Sequence, residues 1–218
     1  IIPEGSIIPD SSVVVGRPGR IIRKLTLDDE NMILRMRNND ISLGEYVENI
    51  IENNPKEDEK LGKLYNYGAK YPEIKESAFL YDTAEITGDV IVGKNSVIAS
   101  GVKIIGNSHG PIKIGNNVKI LENTVLHLLP DNELIIEDDV IIGPGCIIHG
   151  TTIGSNSIIE SGAIVCDYSK LGKNTLVKSG TLIKQRSVFD DNEILEGFPA
   201  KSIGKNKELL KRPAWSDL

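Results

Sequence analysis

The stretch IGSNSIIESGAIVCDYSKLGKNTLVKSGTLIKQRSVFDDNEIL (residues 153–195) decides the fold, because every sixth position carries a large apolar residue. Shorter runs with the same spacing occupy residues 86–104, 114–126 and 136–148. A six-residue period sustained over this length is typical of a hexapeptide-repeat β-helix, in which three hexads form one coil. The repeating residue points into the core and its neighbours point outward. The sequence therefore predicts an all-β parallel solenoid.

The period is interrupted at three places. The steps from Ile104 to Ile114 and from Leu126 to Ile136 are ten residues long, and they contain the segments GNSHGP (106–111) and LLPDNE (128–133). The step from Ile148 to Ile153 is only five residues long. We interpret the two long steps as protruding loops, and loops on a rigid scaffold are where functional residues tend to lie.

The N-terminal segment repeats the end of the solenoid. Residues 1–22 align with residues 182–203 at a constant offset, and the identical positions include a serine, an aspartate, a glycine, a proline and an isoleucine. We predict an extra end-coil-like segment at 1–25, followed by a helical segment at 26–53 with Thr26 as its N-cap. Residues 54–70 are predicted to be a linker, residues 71–204 the β-helix, and residues 205–218 a C-terminal tail.

Composition restricts the possible partners and location. The chain has 218 residues and a formal net charge of -6, and its basic residues are scattered, which argues against nucleic-acid binding. No segment approaches the roughly 18 apolar residues of a membrane span. Cys146 and Cys166 form no CxxC pair, so a reducing cytoplasm is the expected location.

The three histidines suggest a metal site. His127 and His149 each follow an inward apolar residue, and they are one coil apart once the extra loop residues are subtracted. His109 lies 18 residues before His127, nominally in the same column. Cys166 continues the column, whereas Cys146 is expected in the core. Imidazole ligands favour zinc, or iron or cobalt in its place. The alternative is that the histidines are surface or interface residues.

Several segments resemble the gamma-class carbonic anhydrases: GPIKIG, VLH, IGPGCIIHGTTIG, SGAIV and EGFPAKSIG. The resemblance covers about residues 75–215, and it implies a left-handed β-helix and a homotrimer with a metal site at each subunit interface. It identifies His127 and His149 as two of the three metal ligands. The third ligand, contributed by the neighbouring subunit, is a histidine in the family, but this chain has Pro144 there, so the protein could be metal-free.

Other family positions also differ. The family's Arg-x-Asp-Glu-Gly-like segment is replaced by residues 106–110, and its Gln-Asp pair by Leu121 and Glu122. Three interpretations follow. The first is a carbonic-anhydrase-like enzyme acting on carbon dioxide or bicarbonate, with His109 as the third ligand and Glu122 as the proton relay. The second is a catalytically silent trimeric scaffold. The third is an acyltransferase that uses acyl-CoA, with His149 as general base.

Overall fold

The structure is a computed structural model that describes residues 5–16, 19–31, 62–106, 110–129 and 131–217. The chain divides into two compact units, Ile1–Tyr46 and Val47–Leu218. The larger unit is a left-handed parallel β-helix of about seven coils, which confirms the predicted fold class. No helix among the described residues is both long and apolar enough to span a membrane.

Each coil of the solenoid contributes strands to three faces. Face 1 contains β3 (Lys63–Tyr65), β6 (Glu85–Gly88), β9 (Lys103–Gly106), β12 (Val125–His127), β15 (Ile147–Ile148), β18 (Ile164–Val165) and β21 (Leu182–Ile183). Face 2 contains β4 (Glu73–Ile74), β7 (Val90–Val92), β10 (Ile112–Ile114), β13 (Leu134–Ile136), β16 (Thr152–Ile153), β19 (Lys170–Leu171) and β22 (Val188–Phe189). Face 3 contains β5 (Phe79–Leu80), β8 (Val97–Ile98), β11 (Lys119–Ile120), β14 (Ile141–Ile142), β17 (Ile158–Ile159), β20 (Leu176–Val177), β23 (Glu193–Gly197) and β24 (Ala200–Lys205).

The six-residue period places one aliphatic side chain per strand inside the solenoid. On face 3, Ile142 pairs with Ile159 in the next coil, and both are fully buried. Burial of such a side chain stabilises the fold by about 1.5–3 kcal/mol. Each coil also satisfies the backbone groups of the next, so that only the end coils leave open edges.

The solenoid begins earlier than the sequence indicated. Strand β3 lies inside the segment predicted to be a linker, yet it pairs in parallel with β6, Leu64 opposite Ile86. Leu64 precedes Ile74 by ten residues, a step as long as those at Ile104 and Leu126, and the six-residue period resumes from Ile74. Residues 54–61 of the predicted linker lie outside the described residues.

The N-terminal unit contains an antiparallel hairpin, β1 (Ser12–Val15) and β2 (Arg20–Lys24). Residues 27–31 then form the start of a helix. Thr26 is its cap, since its hydroxyl accepts a hydrogen bond from the Asp29 amide (3.3 Å) and its own amide donates to the Asp29 carboxylate (2.8 Å). The remainder of the predicted helical segment, residues 32–53, lies outside the described residues.

The C-terminal tail returns along the corner between faces 2 and 3. The buried Asn174 side chain donates to the Glu208 carbonyl (3.0 Å) and accepts from the Leu210 amide (2.8 Å). Further along, a 3₁₀ helix (Ala214–Ser216) brings the Ser216 carbonyl within 2.6 Å of Lys119 Nζ on face 3. The tail therefore packs on the solenoid and covers part of face 3.

Candidate active site

The two histidines of the predicted site lie together at corner 1, the set of turns that lead from face 1 to face 2. His127 ends strand β12 and His149 directly follows β15. The register pairs Leu126 with Ile148, which makes the two histidines neighbours in adjacent coils. Their ring centroids are 6.2 Å apart in an edge-to-face arrangement. The expected stacking of His127 and His149 is therefore present.

A carboxylate lies behind His149. Asp167 Oδ2 is 3.5 Å from His149 Nδ1, and the Asp167 side chain is only 9% exposed. His149 Nδ1 is itself buried and makes no hydrogen bond to any of the described residues. A carboxylate on this side favours a proton on Nδ1, which leaves Nε2 as the basic, ligand-forming nitrogen.

Asp167 is held in position by three donors. Its Oδ1 accepts hydrogen bonds from the backbone amides of Leu129 (3.1 Å) and Gly150 (3.0 Å) and from the side-chain amide of Asn132 (3.2 Å). The Asn132 amide also donates to the Gly150 carbonyl (2.7 Å). The side chain of Asp167 thus connects its own coil to the turns of the two preceding coils, which fixes the carboxylate beside His149.

The five-residue step in the sequence accounts for this network. At corner 1 only residues 149–151 separate β15 from β16, whereas residues 166–169 separate β18 from β19. A Cβ atom at Gly150 would lie 2.2 Å from Asn132 Nδ2 and 3.1 Å from Asp167 Oδ1. The shortened turn and its glycine therefore make room for the two polar side chains.

The column position before His127 is occupied by an apolar residue, Ile105, which is opposite His127 in the preceding coil. Five residues separate β9 from β10, so counting 18 residues back from His127 does not give its register partner. The role of His109 as a metal ligand stays a prediction. His109 itself lies outside the described residues.

Cys166 follows Val165 in the column, as expected. Burial, with a contribution from the Asp167 carboxylate, raises the pKa of the Cys166 thiol above its ordinary value. Because the thiolate is the form that binds metal, this environment disfavours Cys166 as a ligand. Cys146 is buried in the core as predicted, and burial raises the pKa of its thiol to about 11.

Glu122 and Pro144 lie at a different corner. Both are in turns that lead from face 3 to face 1, where the Gly145 amide donates to the Glu122 carbonyl (2.8 Å). This corner is at the opposite end of the face 1 strands from His127 and His149. Within one chain, the structure does not bring Glu122 to the histidines.

Sequence reasoning missed Asp167 and Asn132. Asp167 occupies a turn position of its hexad, where aspartate is common for structural reasons alone. The available signal was the shortened step at 148–153, which implied an unusual turn directly after His149. A shallow depression of about 420 Å³ adjoins these residues, lined by Gly110, Pro111, Asp131, Asn132, Glu133 and Tyr168.

Comparison with known proteins identifies similar chains. The family described as bacterial transferase hexapeptide (six repeats) matches residues 134–167. A carbonic anhydrase of Geobacillus kaustophilus is 41% identical over 140 residues, which cover 64% of this chain and 76% of that protein. The mitochondrial gamma carbonic anhydrase 2 of Arabidopsis thaliana is 29% identical over 148 residues, which cover 65% of this chain and 53% of that protein.

A solved structure shows the same architecture. A hexapeptide transferase family protein from Anaplasma phagocytophilum superposes with a TM-score of 0.63 and is 31% identical. The match covers 66% of this chain and 85% of that protein. The chain therefore belongs to the gamma-class carbonic-anhydrase-like family of hexapeptide-repeat, left-handed β-helix proteins.

Proposed function

We propose that this protein is a metal-dependent carbonic-anhydrase-like enzyme that catalyses the reversible hydration of carbon dioxide at corner 1. The observation that carries the proposal is the pair of imidazoles in adjacent coils, His127 and His149, with ring centroids 6.2 Å apart. The Asp167 carboxylate beside His149 Nδ1 strengthens it, because histidine ligands commonly have a carboxylate on their second nitrogen.

His127 and His149 provide two of the three protein ligands that a catalytic metal site needs. Two imidazoles suit zinc, or iron or cobalt, but a catalytic zinc needs three protein ligands. Within the described part of the chain, no group of three His, Cys, Asp or Glu residues could hold a metal ion. The third ligand would therefore come from His109 or from a neighbouring subunit at a position other than Pro144.

The chain's own residues would orient the His149 imidazole and relay protons. A bound metal ion would lower the pKa of its bound water, and hydration of carbon dioxide at neutral pH depends on this effect. The Asp167 carboxylate would accept a hydrogen bond from the Nδ1–H of His149 and keep Nε2 directed at the metal. Asn132 and the Gly150 amide would hold Asp167 in place. Glu122 would relay a proton only to the site of a neighbouring subunit, since it is at the other end of its own face 1.

We further propose a homotrimer that packs through face 1. The outward residues Val125, Ile147, Ile164 and Leu182 form an apolar column on this face, and Ile147 is 41% exposed. Packing through face 1 would bring the Glu122 corner of one subunit towards the histidine corner of the next. Because Cys146 and Cys166 are both free thiols, a reducing compartment such as the cytoplasm is the proposed location.

Acyl transfer is the second candidate. A histidine backed by a carboxylate can also act as a general base towards a hydroxyl or amine, and this role needs no third metal ligand. The presence of Pro144 at the family's third ligand position favours this candidate. The donor would be an acyl-CoA, and His149 with Asp167 would be the base and its orienting group.

Two measurements on one preparation test these functions. Protein purified without chelator or metal-affinity tag would be analysed for metal content, and its carbon dioxide hydration measured by stopped flow. We expect about one metal per chain, and loss of both metal and hydration in His127→Ala. The control Cys166→Ser should retain both. Acetyl-CoA turnover by metal-free protein would favour acyl transfer, and a folded trimer with neither activity would indicate a silent scaffold.

A further inference from the structure

The N-terminal hairpin reproduces the hairpin that closes the solenoid. Within β1–β2, Val13 is opposite Arg23 and Val14 is opposite Ile21, with the irregularity between Val13 and Val14. Within β23–β24, Ile194 is opposite Gly204 and Leu195 is opposite Ser202, with the irregularity in the same place. The two registers are therefore identical at the constant sequence offset between the two segments.

The turns of the two hairpins also agree. Ser11 and Asn192, at the entry to each hairpin, both have positive φ (57° and 68°), as do Gly16 and Gly197 at the end of the first strands (99° and 114°). Each hairpin is closed by a backbone hydrogen bond of 2.7 Å, from Leu25 to Ser11 and from Asn206 to Asn192. This structural agreement follows the sequence repeat at the same offset, and it indicates a shared structural role.

The role of the C-terminal hairpin is visible in the structure. Strand β23 continues face 3 by pairing in parallel with β20, where Leu176 is opposite Ile194 and Val177 is opposite Leu195. The Lys178 amide donates to the Leu195 carbonyl (2.9 Å), and the Leu195 side chain is fully buried. The hairpin thus covers the open edge of the last coil.

The outer edge of the N-terminal hairpin differs from that of the C-terminal hairpin. Among the described residues, β1 pairs only with β2, so the edge equivalent to the one β23 presents to β20 is open. Val14, the counterpart of the fully buried Leu195, is partly exposed. Ile8 is 40% exposed, whereas its counterpart Phe189 packs against the core.

We propose that the free edge of β1 binds the last coil of a second hexapeptide-repeat solenoid, in the register in which β23 binds β20. In the solenoid of residues 62–204, the edge of β20 that would receive β1 is already paired with β23. The partner is a coil that presents a strand in parallel with β1 and inward aliphatic residues opposite Val13 and Val14. The N-terminal unit is then the cap of that second solenoid.

The test asks whether the N-terminal hairpin can cap a hexapeptide coil, with the β20 coil of this chain as the probe. In a graft variant, residues 193–205 of the full chain carry the sequence of residues 12–24, which has the same length. The comparison variant is the parent with Leu195→Lys, which places a charge at the buried coil contact. The readouts are thermal unfolding and hydrogen exchange at the Lys178 amide.

We expect the graft to melt within about 10 °C of the parent, since its apolar residues at 194 and 195 become only slightly smaller. We also expect the Lys178 amide to remain protected, because it would still donate to the residue at position 195. A further variant of the graft has lysine at position 195, in place of the valine that corresponds to Val14. This variant should lose both the near-parental melting temperature and the protection of the Lys178 amide. A graft that melts like Leu195→Lys, with rapid exchange at Lys178, would overturn the proposal.

Discussion

Asp167 is the residue that organises the candidate site. Three hydrogen bonds fix one of its oxygens, and the other faces His149 Nδ1. Each of these contacts crosses from one coil to another, so the position of the carboxylate depends on the stacking of coils rather than on its own turn. The orientation of His149 is therefore set by the solenoid as a whole, whichever chemistry the imidazole performs.

Asp167→Asn should reduce activity far more than stability. The amide oxygen of asparagine can still accept the hydrogen bonds from the Leu129 and Gly150 amides. Its side-chain NH2 group is a donor, however, and cannot accept a hydrogen bond from the Nδ1–H of His149. Loss of such a carboxylate partner costs about 10–100-fold in activity or metal affinity. Stopped-flow hydration and metal titration would be compared with Cys166→Ser, its neighbour in the chain. Unchanged activity in Asp167→Asn would show that the carboxylate is only structural.

Cys146 should make stability depend on pH in the alkaline range. Burial raises the pKa of its thiol to about 11 in the folded state. In the unfolded chain the thiol loses its proton at its ordinary pKa near 8.5. Between these values the unfolded state binds fewer protons, so the free energy of unfolding falls as pH rises, by about 3 kcal/mol from this group.

Urea unfolding at about pH 8 and about pH 11 would measure this dependence. Cys146→Ala removes the thiol and should therefore show a smaller decrease between the two pH values than the parent does. Alanine also leaves a cavity, which lowers stability at every pH, so the comparison concerns the difference between the two conditions. Equal decreases in parent and variant would contradict the prediction.

At the level of elements, the sequence predicted the solenoid because its period is a direct consequence of the geometry. One inward aliphatic residue per strand has to recur every six residues for coils to stack, as Ile142 and Ile159 do. The coil start at β3 was missed because a ten-residue step from Leu64 to Ile74 interrupts the six-residue period, although the same step occurs between Ile104 and Ile114. Asp167 was missed for a related reason: its partners are 17 to 38 residues away, and only the coil register brings them together.

The asparagine ladder at the corner between faces 2 and 3 should hold the C-terminal tail in place. Asn174 has a positive φ of 54°, which asparagine tolerates better than most residues. Its side chain bonds Asn156 (2.9 Å) and Asn192 (2.8 Å) as well as Glu208 and Leu210 of the tail. The ladder therefore joins three coils and the tail through a single buried amide.

Asn174→Ala should destabilise the fold by about 2–4 kcal/mol, since it removes several buried hydrogen bonds and strains the left-handed turn. Detachment of the tail should also change the fluorescence of Trp215, the one tryptophan in the sequence. The matched control is Asn95→Ala, which has a similar φ of 56° but an exposed side chain with a 3.4 Å contact to Asn117. Equal effects of the two substitutions would show that the turn alone matters.

For the whole molecule, faces 1 and 3 differ in how their outward side chains are covered. On face 3, the outward side chains of Ile141 and Ile158 are 1% and 6% exposed, and the tail reaches Lys119 beside Ile141. On face 1, the corresponding Ile147 is 41% exposed. Face 1 joins the histidine corner to the corner that carries Glu122 and Pro144, so an assembly through this face would combine both corners in one site.

Ile147→Lys should therefore convert the proposed trimer into monomers without unfolding the solenoid. A lysine at this position is readily solvated in a monomer, but burying its charge in an apolar interface is strongly unfavourable. Light scattering would give the molar mass, and circular dichroism would verify the β-helix. Val188→Lys is the control, because Val188 is 68% exposed on face 2 and should leave the mass unchanged.

A parent that is already monomeric, or a trimer that survives Ile147→Lys, would exclude assembly through face 1. Loss of carbon dioxide hydration together with the trimer would indicate that the site needs residues from two subunits, as the separation of Glu122 from the histidines within one chain implies.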